Sequence, residues 1–229
     1  MRCVFTDLTQ LTAVPRVAVV VDVMRAFTTA AYAFAGGAGK IVFAETDDAA
    51  LKSKARHPDW LAVRDGTPAP GFDLANSPGQ IRARDLRGRT LVLRTTAGTA
   101  GALAVAGADV ILCASFVVAQ ATASFLRSLA PGEVVFVITG DNGRADEDLA
   151  CAHYIAELLT AEEVDPSPFI ERARRSVAAE DLAEGLRQGY RGVHPDDVPL
   201  CLEADVHAFA MTATSGAWGM TLGARRPRR

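Results

Sequence analysis

Alternation is the feature that most limits what this chain can fold into. Short apolar runs lie at Val17–Val21, Ile41–Ala44, Trp60–Val63, Thr90–Leu93, Val110–Cys113 and Val134–Ile138. Between them lie segments of helical period: Ala26–Ala35, Ala49–Arg56, Ala100–Ala106, Phe116–Leu129 and Glu147–Leu159. Runs this short read as buried strands, and strands that take turns with helices are joined by crossovers. The expected fold is therefore α/β, three layers in the order α/β/α, with a largely parallel or mixed sheet. Gly36-Gly37 stops the first helix and Gly39-Lys40 returns the chain to a strand, which reads as a compact βαβ unit. Residues 64–80, dense in Gly, Pro, Asp, Asn and Ser, read as one long loop of the kind that carries function. Pro166 and Pro168 break the alternation. Residues 1–164 are expected to form the core, and 165–229 a helical and extended segment packed on it.

Bulk properties narrow the function. Hydrophobic residues make up 49% of the 229, enough for a sizeable core. The formal net charge of −3 gives no basic field for nucleic acid, and the basic tail Arg225–Arg229 is short. No apolar run approaches the roughly 18 residues that a membrane span needs. Asp7 and Gln10 interrupt the stretch where a signal peptide would be apolar, so a cytoplasmic protein is expected. Cys3, Cys113, Cys151 and Cys201 lie far apart, and the histidines are scattered, so neither a CxxC site nor a histidine metal site is expected.

Polar residues collect where the apolar runs end. Val17–Val21 runs into Asp22, followed by Arg25, Thr28 and Thr29. A carboxylate has no use inside a buried strand, but at its carboxyl end it faces the crevice where open α/β sheets bind ligands. The same Asp also suits a helix cap. Thr95-Thr96-Ala97-Gly98-Thr99 precedes a helix, whose free N–H groups and neighbouring hydroxyls suit an anion as well as a cap. Ser115 follows the next run. Asp146, Glu147 and Asp148 open another helix, where acids complement its dipole and where hard oxygens would also suit Mg²⁺. If the strands are parallel, these clusters gather at one edge. Gly36–Lys40 is no phosphate loop, because its glycines follow a helix and precede a strand.

In order, Asp22-Val23-Met24-Arg25-Ala26-Phe27-Thr28-Thr29, Gly71-Phe72-Asp73-Leu74-Ala75-Asn76-Ser77-Pro78, Thr95–Thr99, Ala114-Ser115-Phe116 and Glu147–Ala152 resemble the 2-phosphosulfolactate phosphatase family. Asp197–Cys201 with Asp205 is a weaker match. The resemblance implies an α/β/α enzyme that uses Mg²⁺ to hydrolyse 2-phospho-3-sulfolactate to 3-sulfolactate and phosphate. On that reading Asp22, Arg25 and Glu147 carry the catalysis. Asp22 is either a metal ligand or the phosphoryl acceptor, and Glu147 or Asp148 completes the metal site. Arg25 clamps phosphoryl oxygens. Thr28, Thr95, Thr96, Gly98, Thr99 and Ser115 surround the phosphate, Asp73 and Asn76 shape the site from the long loop, and Arg64 meets a carboxylate or sulfonate of the substrate. Two departures stand out. The family's Gly-Gly-Glu-Arg-Gly-Gly-like stretch is here Leu61–Gly66, with Val63 in place of Glu and Asp65 as an imperfect substitute. Its Thr-Asn-Gly-Thr turn has Ala97 in place of Asn. These departures motivate a second reading, a non-catalytic or redirected paralogue that binds another phosphorylated metabolite. The expected partner is a small phosphorylated anion, with a homodimer of the kind common among enzymes this size.

Overall fold

The computed structural model describes residues 1–141, 144–161 and 163–226. The end of the basic tail, residues 227–229, lies outside the described residues.

Among the described residues, ten strands form one mixed sheet. Strands β1 (Arg2–Asp7), β2 (Val17–Val21), β7 (Val110–Ala114) and β8 (Glu133–Ile138) make one parallel half, in the order β1-β8-β2-β7. Strands β3 (Lys40–Phe43), β4 (Leu61–Arg64), β5 (Leu74–Ala75) and β6 (Thr90–Arg94) make the other, in the order β3-β6-β4-β5. Between the halves lies a hairpin, β9 (Ala210–Gly216) with β10 (Gly219–Arg225). It pairs antiparallel with β7 on one side and β3 on the other. Three antiparallel steps separate the halves, so their strands run in opposite senses.

Two expectations change here. Helix α1 (Ala26–Ala35) does not close a βαβ unit, because β2 and β3 are not neighbours. It leaves one half of the sheet and delivers the chain to the other, and the C-terminal hairpin fills the gap. The strand ends also do not share one edge of a uniformly parallel sheet. They meet because the sheet curls around α1, whose residues Ala26–Phe34 are all buried. Alternate residues of both halves and of the hairpin face that helix: Ala18 and Val20, Ile41 and Phe43, Leu91 and Leu93, Cys113, Val137, Met211 and Leu222. Full burial of Phe27 among them contributes about 1.5–3 kcal/mol. The helix stops at Gly36-Gly37, and Gly37 adopts φ +93°, a backbone conformation that favours glycine.

The opposite face of the first half packs on α5 (Ala119–Leu129) and α6 (Asp146–Leu158) through Val19, Val21, Leu112 and Phe136. The opposite face of the second half packs on α2 (Asp47–Arg56) through Val42 and Val92 against Ala50 and Trp60. Helix, sheet and helix thus give the three layers. The expected loop 64–80 contains β5 and a short helix, α3 (Pro78–Arg82), capped where the Ser77 hydroxyl accepts the Gln80 N–H at 3.2 Å. Both elements are too short to show a period. Helix α4 (Gly98–Ala104) follows β6, and the C-terminal segment forms α7 (Ser167–Arg174), α8 (Val177–Arg187) and α9 (Asp197–Cys201) before the hairpin. Among the described residues, no helix is long and apolar enough to cross a membrane.

Candidate active site

Strand β2 is bonded on both sides by parallel neighbours, which is why it is a run of buried valine and alanine. Asp22 ends it. Its N–H still reaches the Ala114 carbonyl across the sheet (3.2 Å), while its Oδ1 accepts the Ala26 N–H, the first of α1, at 2.9 Å. Arg25, not Asp22, holds the N-cap position of α1, so Asp22 meets a free helix N–H from three residues before the cap. Asp22 is only 6% exposed. Burial, then the charges of Asp65 and Glu147, push its carboxyl up to about 7, against hydrogen bonds from the Ala26 and Gly98 N–H groups.

The turn before α4 does not present an open anion cradle. The Thr95 and Thr99 hydroxyls bond each other at 2.9 Å and cap each other's N–H groups. The Thr96 N–H goes to Asp65 Oδ2 at 2.8 Å, and the Gly98 N–H goes to Asp22. These are the donors expected to hold phosphate, and two carboxylates of the chain itself occupy them. Gly98 has no room for a side chain: a Cβ would stand 2.6 Å from Asp22 Oδ2 and 2.8 Å from the Ala26 Cβ. Gly98→Ala is therefore expected to lower stability by about 1–3 kcal/mol and to displace the Asp22 carboxylate. Urea unfolding checks the first effect and phosphate release the second.

Asp65, read from the sequence only as an imperfect substitute for the family's Glu and given no role at the site, stands beside Asp22. It follows β4 as Asp22 follows β2, which was the available signal. Its Oδ1 accepts the Asn76 amide N–H at 2.7 Å, and Asn76 itself is 2% exposed. Val63 lies fully inside the core around α1, so the family's Glu position carries no polar group into the site.

Two of the three acids that open α6 turn inward. Asp148 is buried, and burial, then Asp22 and Glu147, raise its carboxyl well above the usual range. Its Oδ1 accepts the Val23 N–H at 2.7 Å and its Oδ2 the Gly140 N–H at 3.2 Å, tying the ends of β2 and β8 together. Burial also raises the Glu147 carboxyl, opposed in part by the Ser176 hydroxyl. Asp146 faces outward to Arg172 at 2.6 Å, a surface pair of small energy.

Arg25 lies at the same turn, but its Nη1 is committed: it donates to the Gly192 carbonyl at 2.8 Å and to Asp197 Oδ2 at 2.7 Å. Asp197 also accepts the Ser77 hydroxyl (2.6 Å) and the Gly79 N–H (3.0 Å) on Oδ1, and the His194 N–H (2.9 Å) on Oδ2. The Thr28 hydroxyl is spent inside the turn, on the Val23 carbonyl at 2.8 Å. Ser115 is fully buried, and its Oγ has no partner among the described residues.

The structure does not bring Arg64 and Asp73 to this centre. Alternation along β4 points Val63 inward to the α1 core, so Arg64 points to the α2 face. There it shares Asp47 with Arg94, at 3.2 and 3.1 Å. Asp73 is held by Lys54 Nζ at 2.5 Å and by the Ala62 N–H at 2.7 Å, toward the start of β4.

The sequence profile of the family described as 2-phosphosulpholactate phosphatase matches residues 3–214. The chain is 36% identical to a probable 2-phosphosulfolactate phosphatase of Thermus thermophilus, over 90% of this chain and 87% of that one. It is 36% identical to one of Deinococcus radiodurans, over 88% and 85%. It is 34% identical to one of Bacillus subtilis, over 71% and 72%. The profile match runs from β1 into β9 and takes in every element that carries the acidic centre, so the chain belongs to the 2-phosphosulpholactate phosphatase family.

Proposed function

We propose that this protein is a phosphatase for the phosphate monoester of a small acidic 2-hydroxy acid, converting 2-phospho-3-sulfolactate and water to 3-sulfolactate and phosphate. Asp22 carries the reading. It is a carboxylate at the carboxyl end of a central parallel strand, with Asp65, Glu147 and Asp148 around it. Carboxylates alone would repel a phosphate ester, so such a centre works only with a cation.

The residues present fit Mg²⁺. Among the described residues, no three His, Cys, Asp or Glu side chains form a ready-made coordination set. Mg²⁺ does not require one, since it is commonly held by one or two carboxylates and keeps several waters. Asp22 and Glu147 are the residues assigned to hold it. When bound, the cation supplies charge stabilisation to the phosphoryl oxygens. The guanidinium nitrogens of Arg25 other than Nη1 are assigned to the same oxygens, and the pair with Asp197 fixes their direction. Water adds to phosphorus and the ester P–O bond breaks. The proton lost by the water is balanced by the one the departing alkoxide gains.

The test is phosphate release from 2-phosphosulfolactate and phospholactate by chelator-treated protein, with and without Mg²⁺. Mg²⁺-dependent release is the expected result. No release by folded protein overturns the reading and favours the second one, binding of a phosphorylated metabolite without turnover, for which the buried Val63 is the specific observation.

Cation-free protein also has a pH signature. The Asp22 carboxyl is pushed up to about 7 in the folded state, from an ordinary 3.8. The folded chain therefore keeps a proton that the unfolded chain releases. That contribution is fully present below about pH 4 and is lost as pH rises through about 7. Mg²⁺ binds the ionised form, so saturating Mg²⁺ should raise Tm more at pH 8 than at pH 5. Equal shifts at both would contradict the assignment.

A further inference from the structure

We propose that the carboxylate beside Asp22 on the divalent cation is Asp65, in the place given above to Glu147 or Asp148; the assignment rests on the phosphatase reading above. The strands that end in these two residues belong to opposite halves of the sheet, yet one turn holds both. The Thr96 N–H donates to Asp65 Oδ2 at 2.8 Å and, two residues on, the Gly98 N–H donates to Asp22. One turn therefore touches both carboxylates: a Cβ on Gly98 would stand 2.6 Å from Asp22 Oδ2, while Thr96 bonds Asp65. Asn76 holds the remaining Asp65 oxygen at 2.7 Å. A carboxylate oxygen accepts more than one bond, so each Asp65 oxygen keeps capacity for a ligand. Asp65 is partly exposed, whereas Asp148 is enclosed.

A second observation points to what fills the space. The amide that holds Asp65 has a buried Oδ1 with no partner among the described residues, and so does the Ser115 hydroxyl. Ser115 directly follows Ala114, whose carbonyl takes the Asp22 N–H. Buried acceptors of this kind are normally met by a donor. The waters that Mg²⁺ keeps when two carboxylates bind it are such donors. Among the described residues, no buried cation stands in for the metal, since the Arg25 guanidinium is already matched by Asp197 at 2.7 Å.

The experiment is Mg²⁺ titration calorimetry on the full chain, with Mn²⁺ binding by electron paramagnetic resonance as a second readout. Asp65→Asn should raise the Mg²⁺ Kd on the order of 100-fold, and Asn76→Ala about tenfold, as expected for an outer partner of a metal ligand. Asp109→Asn, an exposed partner of Arg16, should leave Kd unchanged. Wild-type affinity in a folded Asp65→Asn variant overturns the proposal. If that variant does not fold, the Asn76→Ala titration decides in the same way: an unchanged Kd overturns it. Failure of the wild-type protein to bind either metal also overturns it. Phosphate release by the wild-type protein, measured separately, tells whether the phosphatase reading falls with it.

Discussion

Asp22→Asn should cut phosphate release on the order of 10³-fold or more while leaving the fold intact. The amide oxygen can still accept the Ala26 N–H, so the bond to the start of α1 survives. Its NH₂ group, however, would point at the Gly98 N–H, a donor against a donor, and the charge that draws a cation is gone. Because the substitution removes a buried charge crowded by Asp65 and Glu147, cation-free Tm at pH 8 should hold or rise. The Tm gain from Mg²⁺ should disappear. This pairing of unchanged stability with lost turnover separates a catalytic carboxylate from one that only holds the helix start. A purely local role predicts unchanged stability together with normal turnover, since Asn accepts the helix N–H as well as Asp does. Turnover at the wild-type rate would remove Asp22 from the chemistry.

The largest effect on stability is expected at Asp197. Asp197→Ala strands the Arg25 guanidinium, 8% exposed, without its counter-charge and strips partners from the Ser77 hydroxyl and the Gly79 and His194 N–H groups. Breaking a buried pair from one side typically costs about 3–5 kcal/mol. Urea unfolding should show a loss of that size. The free guanidinium would also lose the direction that fits it to a phosphoryl group, so kcat should fall with stability. A loss below about 1 kcal/mol would mean that water replaces the carboxylate and that this pair does not anchor the C-terminal segment.

The local structure was legible because its causes are local. The strand Val17–Val21 and the helix Ala26–Ala35 have the boundaries their patterns imply. Thr46 opens α2 as a threonine before an Asp should, accepting the Ala49 N–H at 3.1 Å. The pile-up of polar residues at strand ends marked the site, and Asp22, Thr96, Gly98, Asn76, Glu147 and Asp148 do lie together. Strand β1 and the hairpin β9–β10 were not legible as strands. The hairpin is rich in Thr, Ala and Gly, with only Met211, Met220 and Leu222 as large apolar residues, so its burial depends on what lies on either side of it.

The division between what was determined locally and what was not follows from range. The sequence by itself determined the strands and helices with a clear apolar period, and that acids stand where strands end. These depend on neighbours within a turn or two of the chain. Tertiary structure alone decided that the two halves oppose each other and curl around α1, and that Arg25 is bonded to a residue 172 positions away. It also decided that the N–H groups of the Thr95–Thr99 turn are spent on Asp22 and Asp65. Whether a polar group meets a ligand or another part of its own chain depends on which surfaces are driven together and dried. That is settled by the burial of α1 within the sheet, not by any spacing along the sequence.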